Sequence, residues 1–126
     1  MSGTAARSPD PDDVPDDAEL WRRIHPQHYP QGDGRTWPYS AAFEDSPNGT
    51  SMSVFIASEC GDYNLVLAGH LGFGLVALSA LQVRECGLEV VRKPMEGQPP
   101  GHAEVVGKKT KSISRKLAKA CRWVVR

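Results

Sequence analysis

The residues with the clearest chemical potential are the cations near the end of the chain, in the segment GKKTKSISRKLAKACRWVVR. This segment contains many lysine and arginine side chains and no acidic residue. Cations along one face of a helix contact the phosphates of a polyanion, and a helix N-terminus adds backbone N–H donors. The segment predicts an anion-binding surface formed by Lys108, Lys109, Lys111, Arg115, Lys116 and Lys119. The alternative is a solvated face whose charge is balanced by acidic residues elsewhere.

Histidine and serine are the other residue types here that do chemistry. A serine beside a histidine and a carboxylate would supply a nucleophile and a general base. The residues available for such a site are Ser40 or Ser53, His25 or His102, and Asp45. No G-x-S-x-G nucleophile elbow accompanies them. Because Pro26 separates His25 from His28, these two imidazoles lack the helical spacing of a shared metal site, and we predict no metal.

The cysteines and glycines give no sign of a cofactor. The three cysteines, Cys60, Cys86 and Cys121, are widely spaced and form no CxxC pair, which favours free buried thiols. The glycines of GHLGFG precede a predicted strand instead of following one, so they do not form a dinucleotide-binding turn. No Walker-type phosphate loop is present either. We therefore predict no bound cofactor.

Composition sets the size and class of the fold that must position these groups. The chain has 126 residues, of which 40% are hydrophobic and 24% charged, as in a single globular domain. Residues 1–19 are acidic, contain three prolines and lack apolar periodicity, so we predict a disordered acidic leader there and one domain over residues 20–126. No apolar run is long enough to span a bilayer and no secretory signal is apparent, so we expect a cytoplasmic protein without membrane association.

Apolar periodicity then predicts the elements of that domain. Strands are expected near residues 20–24, 52–57, 74–80, 88–93, 102–107 and at the C-terminus, and helices near 62–69, 79–87 and 110–121. The run 74–80 is apolar throughout, which favours the central strand. In the last helix, Ile113, Leu117 and Cys121 should face the core. The pattern predicts an α+β fold with a mixed or antiparallel sheet of about four to six strands and two or three short helices.

Short motifs along the chain carry a family resemblance. They are an R-x-[IV]-x-P start in LWRRIHP, an S-x-A-F segment in PYSAAF, an L-S-V strand that reads SMSVF here, and a late H-A-x-[VI] strand in HAEVV. With these motifs, residues 20–126 resemble a group of small uncharacterised bacterial proteins. The resemblance implies one domain and brings no activity with it. The polar positions that it nominates for a site are Arg23, His25, Ser40 and His102.

Three classes of function are compatible with these patterns. We favour a non-enzymatic accessory or protein-interaction module of a bacterial cytoplasm, with a protein partner, because the chain has charged ends and no assembled catalytic signature. The first alternative is binding of nucleic acid or another polyanion through the basic C-terminal helix. The second alternative is a small hydrolase or transferase that uses His25, Ser40 and His102.

Overall fold

Six runs of apolar and β-branched residues form one antiparallel sheet in the computed structural model, which describes residues 13–30, 36–45, 49 and 51–126. The order of the strands across the sheet is β4-β5-β2-β1-β3-β6. The strands are β1 Glu19–Ile24, β2 Met52–Ile56, β3 Gly74–Ser79, β4 Glu89–Arg92, β5 His102–Val106 and β6 Arg122–Val125. The α+β class and the number of strands are confirmed, and every pairing is antiparallel.

Four α-helices lie in the described part of the chain, where two or three were predicted, because a single helical turn follows β2 directly. They are α1 Ala57–Cys60, α2 Tyr63–Leu67, α3 Ala80–Glu85 and α4 Lys111–Ala120, and there are 3-10 turns at Pro26–His28 and Ser40–Phe43. None of these described helices is long and apolar enough to cross a membrane.

Side-chain caps fix where the predicted helices begin. The carboxylate of Asp62 accepts a hydrogen bond from the backbone of α2, and Thr110 does the same for α4. At the start of α3, Ser79 and Gln82 each bond the other's backbone N–H, which forms a capping box. These caps satisfy N–H groups that have no partner inside the helix, so the helix starts were readable from the sequence.

The two faces of the sheet carry two apolar clusters. Alternation along β1 sends Leu20 and Ile24 to the first face, which α3, α4 and the turn Ser40–Phe43 cover. The same alternation sends Trp21 to the second face, where it packs with Phe55 against residues of α1 and α2. The first face therefore holds the larger core, and α4 lies over it with Leu117 fully buried.

The strand predicted to be central, β3, is one position in from an edge. Its residues are buried on both faces as expected, but β1 and β2 occupy the middle of the sheet. The prediction is wrong because both apolar clusters reach β3, so its burial does not depend on a central position. The predicted C-terminal edge strand, β6, is confirmed, and among the described strands it pairs only with β3.

The folded domain starts before residue 20. Val14 is buried in the first core cluster, and the Ala18 carbonyl accepts a hydrogen bond from Ala80 N at 3.0 Å. The carboxylate of Asp16 lies 2.7 Å from the guanidinium of Arg84. Residues 13–18, which the composition assigned to the leader, therefore pack on the domain. Residues 1–12 of that predicted leader lie outside the described residues.

Candidate functional site

Helix α4 presents its cations to solvent along one face. Lys111, Arg115 and Lys119 follow one another at intervals of four residues and are all exposed, so they form a row along the helix surface. The opposite face is held by packing and by the Ser114 hydroxyl, which donates to the Phe43 carbonyl at 2.7 Å. The amphipathic pattern of the sequence thus fixes which face of α4 is buried and which is basic.

Five cations of this segment form no direct ion pair with a carboxylate among the described residues. The ion pairs in that part of the chain involve other basic groups. The five are Lys108, Lys111, Arg115, Lys116 and Lys119, and all are exposed. We call them the basic face. Five like charges close together on an exposed surface attract anions.

Lys109, the sixth predicted anion-binding residue, points into the protein. Its side chain is 0% exposed, and its Nζ lies 3.0 Å from Asp45 Oδ1. The same ammonium donates to the Gly107 carbonyl at 2.8 Å. Hydrogen bonding from Lys109 lowers the pKa of Asp45. Lys109 therefore anchors the segment before α4 to the chain at Asp45 and does not belong to the basic face.

Trp37 extends the basic face with an aromatic surface. The Lys119 Nζ lies 5.6 Å from the centroid of the indole ring, within the range of a cation–π contact. Trp37 is 36% exposed. Together with Ser40, Arg115 and Ala118 it lines a cleft of about 260 Å³. We call this cleft the Trp37 cleft.

A second tryptophan stabilises the same side of the molecule. The indole N–H of Trp123 donates to the Thr36 carbonyl at 2.7 Å, next to Trp37 in the chain. The Trp123 ring packs on Tyr29, and the Arg126 guanidinium lies 5.2 Å from its centroid. Strand β6 thus ties down the segment that carries Trp37.

The four residues nominated as catalytic do not come together. Arg23 and His102 both contact the ring of Phe55, on the second face of the sheet. Ser40 lines the Trp37 cleft, on the side of α4. His25 caps the turn Pro26–His28. Its ring packs against those of His28 and Phe73. No described cleft is lined by His25 and His102 together.

Of the serine and histidine combinations, the structure brings Ser53 and His102 within reach. The Nδ1 of His102 is 2.7 Å from the Lys93 carbonyl, so Nδ1 carries the proton and Nε2 faces Ser53 Oγ at 3.4 Å. This contact is long for a hydrogen bond. His102 is 4% exposed, and a backbone carbonyl stands where a catalytic triad has a carboxylate. The geometry fits an internal histidine that joins two strands.

Metal and thiol chemistry find little support in the described part of the chain. No three His, Cys, Asp or Glu side chains come together there as metal ligands. The cysteines are free, and burial raises the pKa of Cys121 to about 12 and also raises that of Cys86. These two thiols are therefore protonated at neutral pH and are poor nucleophiles.

Comparison of the chain with protein-family models, with curated proteins and with solved structures finds no match. The fold and the surface chemistry are therefore the only basis for a proposal about function.

Proposed function

We propose that the protein binds single-stranded nucleic acid through the basic face of α4. One observation carries this proposal: the row Lys111, Arg115 and Lys119 has no acidic partner among the described residues and runs beside the exposed ring of Trp37. The sequence alone favoured a protein-interaction module, with nucleic-acid binding as an alternative. The exposed row and the neighbouring indole now make nucleic-acid binding the first proposal.

The spacing of the row suits a charged backbone. Residues four apart on a helix are separated by about 6 Å along its axis, so the three side chains can contact successive phosphates of one strand. Neutralising phosphates with lysine and arginine releases counterions, which supplies most of the affinity. Arg115 can hold a phosphate with two parallel hydrogen bonds, whereas the lysines act as point charges.

Trp37 favours a single strand over a duplex. An exposed indole offers a stacking surface for an unpaired base, worth about 1 to 3 kcal/mol per base. Bases in a duplex are stacked on one another and do not present their faces. The Trp37 cleft places that surface next to Arg115 and Lys119, so a base and its phosphate can be contacted together.

A fluorescence anisotropy titration with a labelled single-stranded oligonucleotide at low salt tests the proposal. We expect Lys119→Gln to weaken binding severalfold, because it removes a phosphate contact and the cation beside Trp37. Lys93→Gln is the matched control: it makes the same change of charge at a lysine whose side chain is 58% exposed, next to β4. Equal affinity losses in the two variants would show that net charge alone matters and would refute a defined binding face.

A protein partner remains a second proposal, supported by the edges of the sheet. Among the described strands, β4 and β6 each pair with one neighbour, so each offers an edge at which another chain can add a strand. A pull-down from native bacterial lysate at low salt, with and without nuclease, separates the two proposals. Nucleic acid that disappears with nuclease supports the basic face, whereas a stoichiometric protein that survives nuclease supports an interaction module of the cytoplasm.

A further inference from the structure

A second cleft lies on the other face of the sheet from α4. It measures about 380 Å³, within the size range of small-molecule sites. Its lining combines one arginine and one histidine with apolar residues, a glycine and a glutamine: Arg23, Leu65, Ala68, His70, Gly97, Gln98, Pro99 and Pro100. We call it the Arg23 cleft.

Arg23 is held in place without using its full set of donors. Its Nε donates to the Val66 carbonyl at 2.7 Å, and its Cζ lies 5.0 Å from the centroid of Phe55. Among the described residues, neither Nη group has a hydrogen-bond partner. A guanidinium fixed in this way keeps its planar fork available, so little side-chain entropy is lost when an anion binds.

The positive charge of Arg23 also has no paired carboxylate within the described part of the chain. No carboxylate there forms an ion pair with it, and the cleft has no acidic residue in its lining. Partial burial lowers the pKa of Arg23, although it stays a cation at neutral pH. A half-buried cation without an anion binds a carboxylate more strongly than an exposed one does, because water screens the contact less.

The residues that line the Arg23 cleft indicate which kind of group is attached to the bound anion. Leu65 and Ala68 lie on one side, and Pro99 and Pro100 belong to the loop between β4 and β5. These side chains bury apolar surface, and Gln98 adds one amide group. A phosphate dianion would call for several cations, whereas one guanidinium matches one carboxylate.

We propose that the Arg23 cleft binds an organic carboxylate with an apolar body, anchored by the Nη groups of Arg23. This site is independent of the basic face and of the nucleic-acid proposal. The family resemblance nominated Arg23 as a site residue. The proposed carboxylate site uses Arg23 and needs neither His25 nor Ser40.

The test is a titration of the full ¹⁵N-labelled chain with benzoate, followed by backbone amide shifts. We expect saturable shifts in residues 65–70 and 97–98 and an affinity in the millimolar range or better. Benzamide has the same body without the charge, and we expect it to bind at least about tenfold more weakly, since a charge-assisted pair of hydrogen bonds is lost. Equal binding of benzoate and benzamide, or no saturable shift with benzoate, would overturn the proposal.

Two variants test whether benzoate binds in the Arg23 cleft. Arg23→Gln should weaken benzoate binding at least about tenfold. Because that change could disturb packing on Phe55, Ala68→Trp provides a second variant, which fills the cleft from an exposed position and leaves Arg23 in place. Benzoate binding that survives Ala68→Trp in the folded protein would contradict the assignment. If inorganic phosphate binds as tightly as benzoate, the cleft is a general anion site and the proposal of a carboxylate site is wrong.

Discussion

Replacing Asp45 by asparagine should destabilise the fold, because it removes the negative charge that lies 3.0 Å from the buried ammonium of Lys109. The Lys109 side chain is 0% exposed and that of Asp45 is 25% exposed. Breaking a fully buried ion pair by removing one partner costs about 3 to 5 kcal/mol. Since Asp45 is partly solvated and the Gly107 carbonyl still accepts from Lys109, we expect a loss of about 2 to 3 kcal/mol in the free energy of unfolding.

The pH dependence of the same variant gives an independent check. The folded state holds the pKa of Asp45 below its ordinary value of 3.8. The pair therefore contributes its full stability above the pKa of the unfolded state, and the contribution is lost as the pH falls through the folded pKa. Asp45→Asn removes this titration. The stability difference between wild type and variant should thus shrink in acid.

Urea denaturation monitored by circular dichroism measures both effects. Asp62→Asn is the matched control: it makes the same change of charge at the exposed N-cap of α2, where asparagine caps as well as aspartate. If Asp45→Asn stays within about 0.5 kcal/mol of the wild type, as surface substitutions do, Lys109 is not held by this pair and the reasoning fails.

Two further predictions concern the packing of α4 and the thiols. Ser114→Ala should cost about 1 to 3 kcal/mol in urea denaturation, because it removes the buried hydrogen bond from the Ser114 hydroxyl to the Phe43 carbonyl. The exposed Ser112→Ala should be nearly neutral, and equal costs in the two variants would contradict the buried contact. The three thiols should react slowly with a disulfide reagent at pH 7.5 in the native protein and quickly in denaturant, since burial keeps them protonated or covered. A fast stoichiometric reaction of any native thiol would refute this.

Local patterns predicted the elements of the fold because their causes are local. Ser79 and Thr110 cap helices through bonds to backbone groups a few residues away, and apolar spacing along α4 placed Leu117 inside. The order of the strands depends on connections between distant segments. That is why β3 was placed at the centre of the sheet when it lies next to an edge.

The candidate sites depended even more on contacts between distant residues. Lys108 and Lys109 are identical neighbours in the sequence, yet Lys109 is buried against Asp45, which is distant along the chain, while Lys108 stays exposed. Trp37 joins the basic face through a contact with Lys119 that no local spacing indicates. Arg23 was nominated by resemblance, but its cleft is formed by segments distant along the chain, including β1, α2 and the loop between β4 and β5.

The salt dependence of oligonucleotide binding tests the central claim most directly. For a single strand, each phosphate contact contributes about −0.7 to the slope of log K against log salt concentration. Removing the row with Lys111→Gln, Arg115→Gln and Lys119→Gln together should make the slope about 2 units shallower and weaken binding at low salt. A wild-type slope near zero, or an unchanged slope in the folded triple variant, would contradict the proposal that this face binds nucleic acid.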